Sequence, residues 1–370
     1  MRILITGASG FIGRNLTETL KRARPDDALL CYDVDTDPAL LDGYCASADF
    51  VFHLAGVNRP KEQDEFMAGN FGFTDTLLSA LRAHKNACPV MLSSSTQAAL
   101  SNPYGESKRA GEELLFAYGR ETGAKVYVYR FPNVFGKWSR PNYNSAVATF
   151  CYNTARGLPI TVNDPGVQMR LLYIDDLVAA LLDLLRGKVV CDGPYCVAPV
   201  THGCTLGEMA NTIVSFGTLR AKSALPDLSD PLTEKLYATY LSFLPPDGFS
   251  YPLTVHADAR GSFTEVFRTP DRGQTSVNVA HPGIVKGNHW HHTKNEKFLV
   301  LSGSAVIRFR KVGESDVFTY RVRGGDMTVV DIPCGYTHNI ENVGDTDLVT
   351  LMWASQPFDP ERPDTYPLEV

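Results

Sequence analysis

Tyr104 and Lys108 stand four residues apart, so on a helix they share one face. A cation beside a phenol favours the phenolate, which predicts a lowered Tyr104 pKa and proton exchange at a carbonyl-derived oxygen. A hydroxyl from the run Ser93-Ser94-Ser95, at the end of a strand, would orient the same oxygen. Ser94 and Ser95 both qualify, and Ser94, two residues past the last apolar side chain, is favoured. A second group comes far downstream: His289, His291, Glu296 and His338. On a strand, residues two apart face the same way, so His289 and His291 can point into one interior. Imidazoles with one carboxylate suit zinc or another divalent metal, with a position open for water or substrate. One group is built for hydride and proton transfer, the other for metal chemistry. A chain with both is read as performing two consecutive steps on one substrate.

Those side chains need a scaffold, and the N-terminal half supplies a recognisable one. Gly7-x-x-Gly10-x-x-Gly13 follows the apolar run Ile3–Thr6 and opens a helix through Phe11, Ile12 and Arg14. Glycines there let the backbone turn tightly and approach a pyrophosphate, whose charge meets the helix N-terminus. Asp33 ends the next strand, where a carboxylate would bond ribose hydroxyls and repel a 2′-phosphate, favouring NADH; Arg14 pulls towards NADPH. Short apolar runs at Ala28–Tyr32, Phe50–Leu54, Val90–Ser93 and Val126–Tyr129 alternate with helical stretches at Leu16–Arg22, Thr74–Ala83 and Lys108–Tyr118. That alternation predicts an α/β, doubly wound parallel sheet of Rossmann type. Residues 190–245 read as less regular helices and loops. The breaker cluster Leu244-Pro245-Pro246-Asp247-Gly248 divides a first domain, 1–245, from a second, 246–370. Beyond it, closely spaced strands predict an all-β barrel or jelly roll. They run over Thr264–Arg268, Gln274–Val279, Glu296–Leu301, Ala305–Arg310, Val317–Val322, Met327–Ile332 and Leu348–Trp353.

At 370 residues the chain is too long for one ordinary core, and a net charge of −6 argues against nucleic acid or an anionic membrane surface as partner. With 44% hydrophobic and 21% charged residues it reads as globular rather than disordered or fibrous. No apolar stretch reaches membrane-spanning length, and the start lacks the features of a signal peptide. The eight cysteines are scattered without a CxxC pair, which fits free thiols and a cytoplasmic location.

The first half resembles the extended short-chain dehydrogenase/reductases. The glycine loop, the Tyr104/Lys108 pair, Asp49–Gly56, Arg130-x-x-Asn133-Val134-Phe135-Gly136 and Arg170-x-x-Tyr173-Ile174-Asp175-Asp176 carry the likeness. Asp49–Gly56, with Leu54, Ala55 and Gly56 at its end, is similar to that family's fourth strand. The resemblance implies that Tyr104 is the acid, that Lys108 holds the nicotinamide ribose, and that Ser94 or Ser95 polarises the carbonyl. Arg59, Asn133, Lys137, Asn142, Asn144 and Arg170 are the candidates for substrate phosphates and sugar hydroxyls, with Arg170 foremost.

The second half resembles the cupins. The spacing from Gly283 through His289, His291 and Glu296 to Gly303 matches their first motif. The second motif departs, since the stretch between Gly325 and Pro333 is two residues longer than the pattern. Asp258-x-Arg260-Gly261-Ser262-Phe263-x-Glu265 and Gly283–His289 are also similar to the sugar-nucleotide 3,5-epimerases, cupins in which the matching histidine is a base. His289 is therefore claimed as ligand and as base. Both readings imply epimerisation next to a ketone, with a metal or Lys297 stabilising the enolate. The fusion as a whole resembles the bifunctional sugar-nucleotide 3-epimerase/4-reductases of capsular polysaccharide synthesis, in the UDP-N-acetyl-L-fucosamine pathway. It implies a UDP-linked 4-keto-6-deoxy-N-acetylhexosamine as substrate, NADPH or NADH as reductant, and a homodimer.

Overall fold

The computed structural model describes residues 1–370, which fall into two compact units. The first comprises Met1–Val214 and Lys235–Leu244; the second comprises Ser215–Glu234 and Pro245–Val370. The change at 244/245 falls in the Pro-Pro-Gly cluster, while Ser215–Glu234 groups with the second unit rather than the first.

In the first unit, strands β1 (Arg2–Thr6), β2 (Ala28–Tyr32), β3 (Phe50–His53), β4 (Val90–Ser95) and β5 (Val126–Phe131) are joined by four helices. These are α1 (Phe11–Ala23), α2 (Ala39–Ser47), α3 (Phe73–Ala83) and α4 (Pro103–Thr122). Strands β6 (Asn133–Phe135), β7 (Gln168–Tyr173), β8 (Cys191–Asp192), β9 (Tyr195–Cys196) and β10 (His202–Thr205) follow, with helices α5 (Ala146–Thr154) and α6 (Ile174–Leu185). The main sheet runs β2-β1-β3-β4-β5-β9-β8, parallel except for its last strand. Alternate side chains explain the apolar runs. Ile3, Ile5 and Phe52 enter a core with Leu16, Leu20, Leu177 and Leu181, while Leu4, Val51 and Val90 enter another with Leu77, Leu78 and Leu115. Both faces are covered, so each strand has no polar side. Asp49–Gly56 supplies the third strand of the chain, because only α2 separates it from β2. The chain order reverses across β1, to β2 on one side and β3 on the other, and such a switch point opens a crevice at the strands' carboxyl ends. A three-stranded sheet, β10-β7-β6, completes the elements around it.

Helices α7 (Leu206–Ala221) and α8 (Pro231–Ser242) carry the chain between the units. In the second unit β11 (Val255–Asp258), β12 (Gly261–Thr269), β13 (Gly273–Ala280), β14 (Val285–Trp290), β15 (Glu296–Ser302) and β16 (Ser304–Lys311) come first. Then come β17 (Val317–Arg323), β18 (Val329–Ile332), β19 (Tyr336–Asn342), β20 (Leu348–Ala354) and β21 (Tyr366–Pro367). They form two antiparallel sheets, β11-β12-β13-β20-β15-β18 and β17-β16-β19-β14-β21. Phe298, Val300 and Leu348 of one sheet meet Ile307, Phe309 and Ile340 of the other in a single core. This is the predicted all-β second domain. Its strands β11, β14, β19 and β21 have no counterpart among the predicted ranges. No helix of the structure is long and apolar enough to cross a membrane, and all eight cysteines are free.

Candidate functional site

The glycine loop sits at the reversal of the first sheet. Gly7 takes φ +71°, and a Cβ there would lie 2.7 Å from Ala55 N; one on Gly13 would lie 2.1 Å from Gly7 O. Only hydrogen fits, so β1, α1 and the end of β3 close together around the loop. A cavity of about 760 Å³ opens there. Gly7, Gly10, Phe11, Ile12, Gly13, Leu54 and Gly56 line it, together with Ser94, Ser95, Tyr104 and Lys108. Ala55 backs this wall, its N–H donating to Thr6 Oγ1 at 3.3 Å. Asp33 accepts from Ser9 N at 2.7 Å and from Val34 N at 2.8 Å, which fixes its carboxylate against the loop. Arg14 is drawn the other way, its guanidinium 4.3 Å from the Trp138 ring centroid.

Helix α4 starts where it must to present Tyr104 and Lys108 on one face. Asn102 Oδ1 accepts from Gly105 N at 2.8 Å, and Pro103 occupies the first turn. Such a cap contributes about 1 kcal/mol. Tyr104 is half-buried and Lys108 buried. Burial depresses the Lys108 ammonium to about 8, against an upward pull from Glu112. The expected lowering of Tyr104 is overturned. Burial dominates and raises its pKa, with a hydrogen bond from the Ser95 side opposing. Tyr104 is therefore a phenol at neutral pH, ready to give a proton.

The preference for Ser94 is likewise corrected. Ser94 is 4% exposed and its hydroxyl donates to Glu112 Oε1 at 2.5 Å. Glu112 is itself held by Arg130 Nε at 2.9 Å. Ser95 caps the turn after β4, accepting from Gln97 N at 3.2 Å, and is the serine that meets Tyr104.

The substrate candidates divide. Asn133 and Asn144 line the cavity. Arg170 does not. Met169 and Leu171 face the cavity, so the intervening Arg170 points away and donates to Thr201 Oγ1 at 3.1 Å. Lys137 is outside the lining and pairs with Asp175 at 2.5 Å. Arg59 and Asn142 act on the loop behind the wall. Arg59 donates to the carbonyls of Asn142 and Tyr143, and Asn142 adopts φ +55°. Sequence reasoning missed Arg140, Trp138 and Tyr143, which line the cavity. The cluster of one cation and two aromatics between β6 and α5 was its only signal.

In the second unit His289, His291, Glu296 and His338 converge, their ligand atoms all within 4.8 Å of one another. His291 and His338 are each 1% exposed. Glu296 Oε2 lies 3.4 Å from His291 Nε2 and 3.3 Å from His338 Nε2. Those three atoms are buried without a hydrogen-bond partner, and orphaned donors of this kind fit a divalent metal. Burial, then the neighbouring imidazoles, lower His289 to about 4, so it is neutral with a lone pair free. Burial raises Glu296, but the close approach of the His291 and His338 imidazoles outweighs that and holds it far below the usual carboxylate range. Two cavities, of about 690 and 580 Å³, each reach His289 and Glu296.

Lys297 is not in this site. Its neighbour Glu296 faces inward, so it faces out and pairs with Asp331 across the strands at 2.5 Å. Lys286 is the lysine that lines the larger cavity. It lies three residues before His289, the wrong parity for a regular strand. Between Gly287 and His289 the pairing of β14 with β19 slips by one, leaving Asn288 as a bulge at φ +59°. Lys286 and His289 thus share a face, opposite Ile340 and His338. The Lys286 ammonium donates to Val279 O at 2.7 Å and Asn278 Oδ1 at 2.8 Å. Burial lowers its pKa, with Asp258 opposing.

Residues 3–193 match the family model of the NAD dependent epimerase/dehydratase family, and residues 256–366 match that of the polysaccharide biosynthesis C-terminal domain. The chain is 43% identical to UDP-2-acetamido-2,6-beta-L-arabino-hexul-4-ose reductase of Pseudomonas aeruginosa, over 100% of this chain and 99% of the relative. It is similar to the structure of capsular polysaccharide assembling protein CapF from Staphylococcus aureus, with TM-score 0.92, 49% identity and 100% of both chains covered. A structure of RMD from Pseudomonas aeruginosa complexed with NADPH is 26% identical, with TM-score 0.50, over 59% of this chain and 85% of that one.

Proposed function

The chain belongs to the NAD dependent epimerase/dehydratase family, and from that premise we propose that it is a bifunctional sugar-nucleotide enzyme of capsule or surface polysaccharide synthesis. Its second unit inverts C3 of UDP-2-acetamido-2,6-dideoxy-hexos-4-ulose. Its first unit reduces C4, giving UDP-2-acetamido-2,6-dideoxy-L-talose. One observation carries this reading: Ser95, Tyr104 and Lys108 share a cavity with the glycine loop, in a chain that also buries a three-histidine, one-carboxylate cluster.

For reduction, Gly7, Gly10 and Gly13 would hold a nicotinamide dinucleotide, which would supply the hydride for C4. Ser95 orients the C4 oxygen, and the Tyr104 phenol protonates it as charge develops. Lys108, as an ammonium, holds ribose hydroxyls beside Tyr104. Since kcat/KM reports the free enzyme, it falls as pH rises through about 8 and Lys108 loses its proton. Tyr104 lies above its ordinary value and does not produce that limb. A pH–rate profile of C4 reduction checks this, and a Lys108→Arg variant with residual activity lacks the alkaline fall.

Asp33 sets the reductant. Its carboxylate, fixed by Ser9 N and Val34 N, meets ribose hydroxyls well and a 2′-phosphate badly. NADH is therefore preferred to NADPH by about tenfold or more in kcat/KM, and Asp33→Ala narrows the ratio. Equal use of both by the parent chain would contradict this role.

For epimerisation, His289, His291, Glu296 and His338 would hold zinc or a similar divalent ion, which supplies Lewis-acid stabilisation of negative charge. The proton at C3 is acidic because its carbanion delocalises onto the C4 oxygen. Lys286 places positive charge on the wall of that cavity, and it takes the enolate-stabilising role first assigned to Lys297. By family likeness the enzyme works as a cytoplasmic homodimer, which light scattering tests. The decisive experiment incubates the protein with the UDP-4-keto-hexosamine in deuterated water without nicotinamide. Deuterium enters C3, and NADH then permits reduction. Reduction without prior uptake would leave a plain 4-reductase carrying a structural barrel.

A further inference from the structure

The metal-ligating loop is held from outside by the end of the chain. Strand β21 pairs antiparallel with β14, Pro367 against His289 and Tyr366 against Trp290. Just before it, Asp364 turns through φ +40°, a left-handed conformation that non-glycine residues seldom adopt and that aspartate reaches most readily among them. Its Oδ2 accepts from Thr293 N, Thr293 Oγ1 and Lys294 N, and its Oδ1 from His292 N, each at 2.9 Å. Successive backbone amides around one carboxylate form an anion nest, so the loop 292–294 is closed on a negative charge.

The same residue acts on His291 through its backbone. Asp364 O lies 2.6 Å from His291 Nδ1. A carbonyl oxygen only accepts, so Nδ1 carries the proton and Nε2 keeps its lone pair. Nε2 is the atom that has no hydrogen-bond partner of its own and faces Glu296. One residue thus fixes both the loop that follows His291 and the tautomer that His291 presents.

We propose that Asp364 is a positioning residue for a divalent metal held by His289, His291, Glu296 and His338, and that the C-terminal segment is part of the metal site. The proposal rests on the metal reading above only in that the cluster takes a metal. Partners of ligating histidines typically set metal affinity by 10–100-fold. The test uses the full-length chain stripped of metal, with zinc affinity measured by competition against a chromophoric chelator and the cobalt(II) absorption spectrum recorded beside it. Asp364→Ala weakens zinc roughly 10–100-fold and alters the cobalt spectrum. Circular dichroism of the metal-free protein establishes that the variant is folded. Asp364→Asn, isosteric but uncharged and with an NH₂ that in either orientation faces at least one N–H donor, gives the same direction and decides the matter where the alanine variant does not fold. A folded variant with zinc affinity within about twofold of the parent and an unchanged cobalt spectrum overturns the proposal and leaves the cluster a metal site. A parent chain that takes up no zinc overturns the metal reading and the proposal together.

Discussion

Tyr104→Phe lowers C4 reduction by about 10²–10⁴-fold while deuterium uptake at C3 continues at the parent rate. The size follows from what is removed. The phenol meets Ser95 on the cavity wall, keeps its proton at neutral pH and is the group proposed to meet a developing alkoxide. The selectivity follows from location, because Tyr104 belongs to the first unit and the histidine cluster to the second. Single-turnover reduction with excess NADH, alongside NMR of C3 in deuterated water, measures both. Loss of both activities together would mean that the C3 proton is exchanged in the reductase cavity.

His289→Ala abolishes C3 exchange by a similar factor, about 10²–10⁴-fold, and spares reduction of substrate already inverted at C3. His338→Ala distinguishes the ways this can happen. With a metal held by all four side chains, both variants lose zinc and lose exchange. With His289 serving as a base alone, His338→Ala keeps exchange near the parent rate. His338 is 1% exposed and its Nε2 has no hydrogen-bond partner, so the structure supports the first outcome. Exchange that persists in both variants would remove the barrel from C3 chemistry altogether.

Sequence made the scaffold legible because the scaffold follows from periodicity. Ile3, Leu4 and Ile5 are apolar in succession because both faces of β1 are covered, and Gly7 and Gly13 are glycine because nothing larger fits. The histidine–glutamate cluster was legible in part: His289, His291 and Glu296 keep the first motif's spacing, while His338 lies in a second motif whose preceding turn is two residues longer than the pattern. What failed depended on which way a side chain points. Arg170 and Lys297 each sit one residue from a position that faces a cavity, and on a strand one residue reverses the direction. Ser94 and Ser95 differ only in that Glu112, eighteen residues on, engages the first. The Tyr104 pKa ran opposite to expectation because a local ion pairing argument carries no information about burial.

The bulge at Asn288 has a consequence for comparing this chain with its relatives. It works as a phase shift in the strand: residues before it are read on one beat, residues after it on the other. An alignment that closes a gap through Gly287-Asn288 keeps His289 in place yet moves Lys286 onto the opposite face. Identity at position 286 then says nothing about charge in the cavity. Transfer of function along this family therefore depends on whether the extra residue is matched, as much as on whether the lysine is.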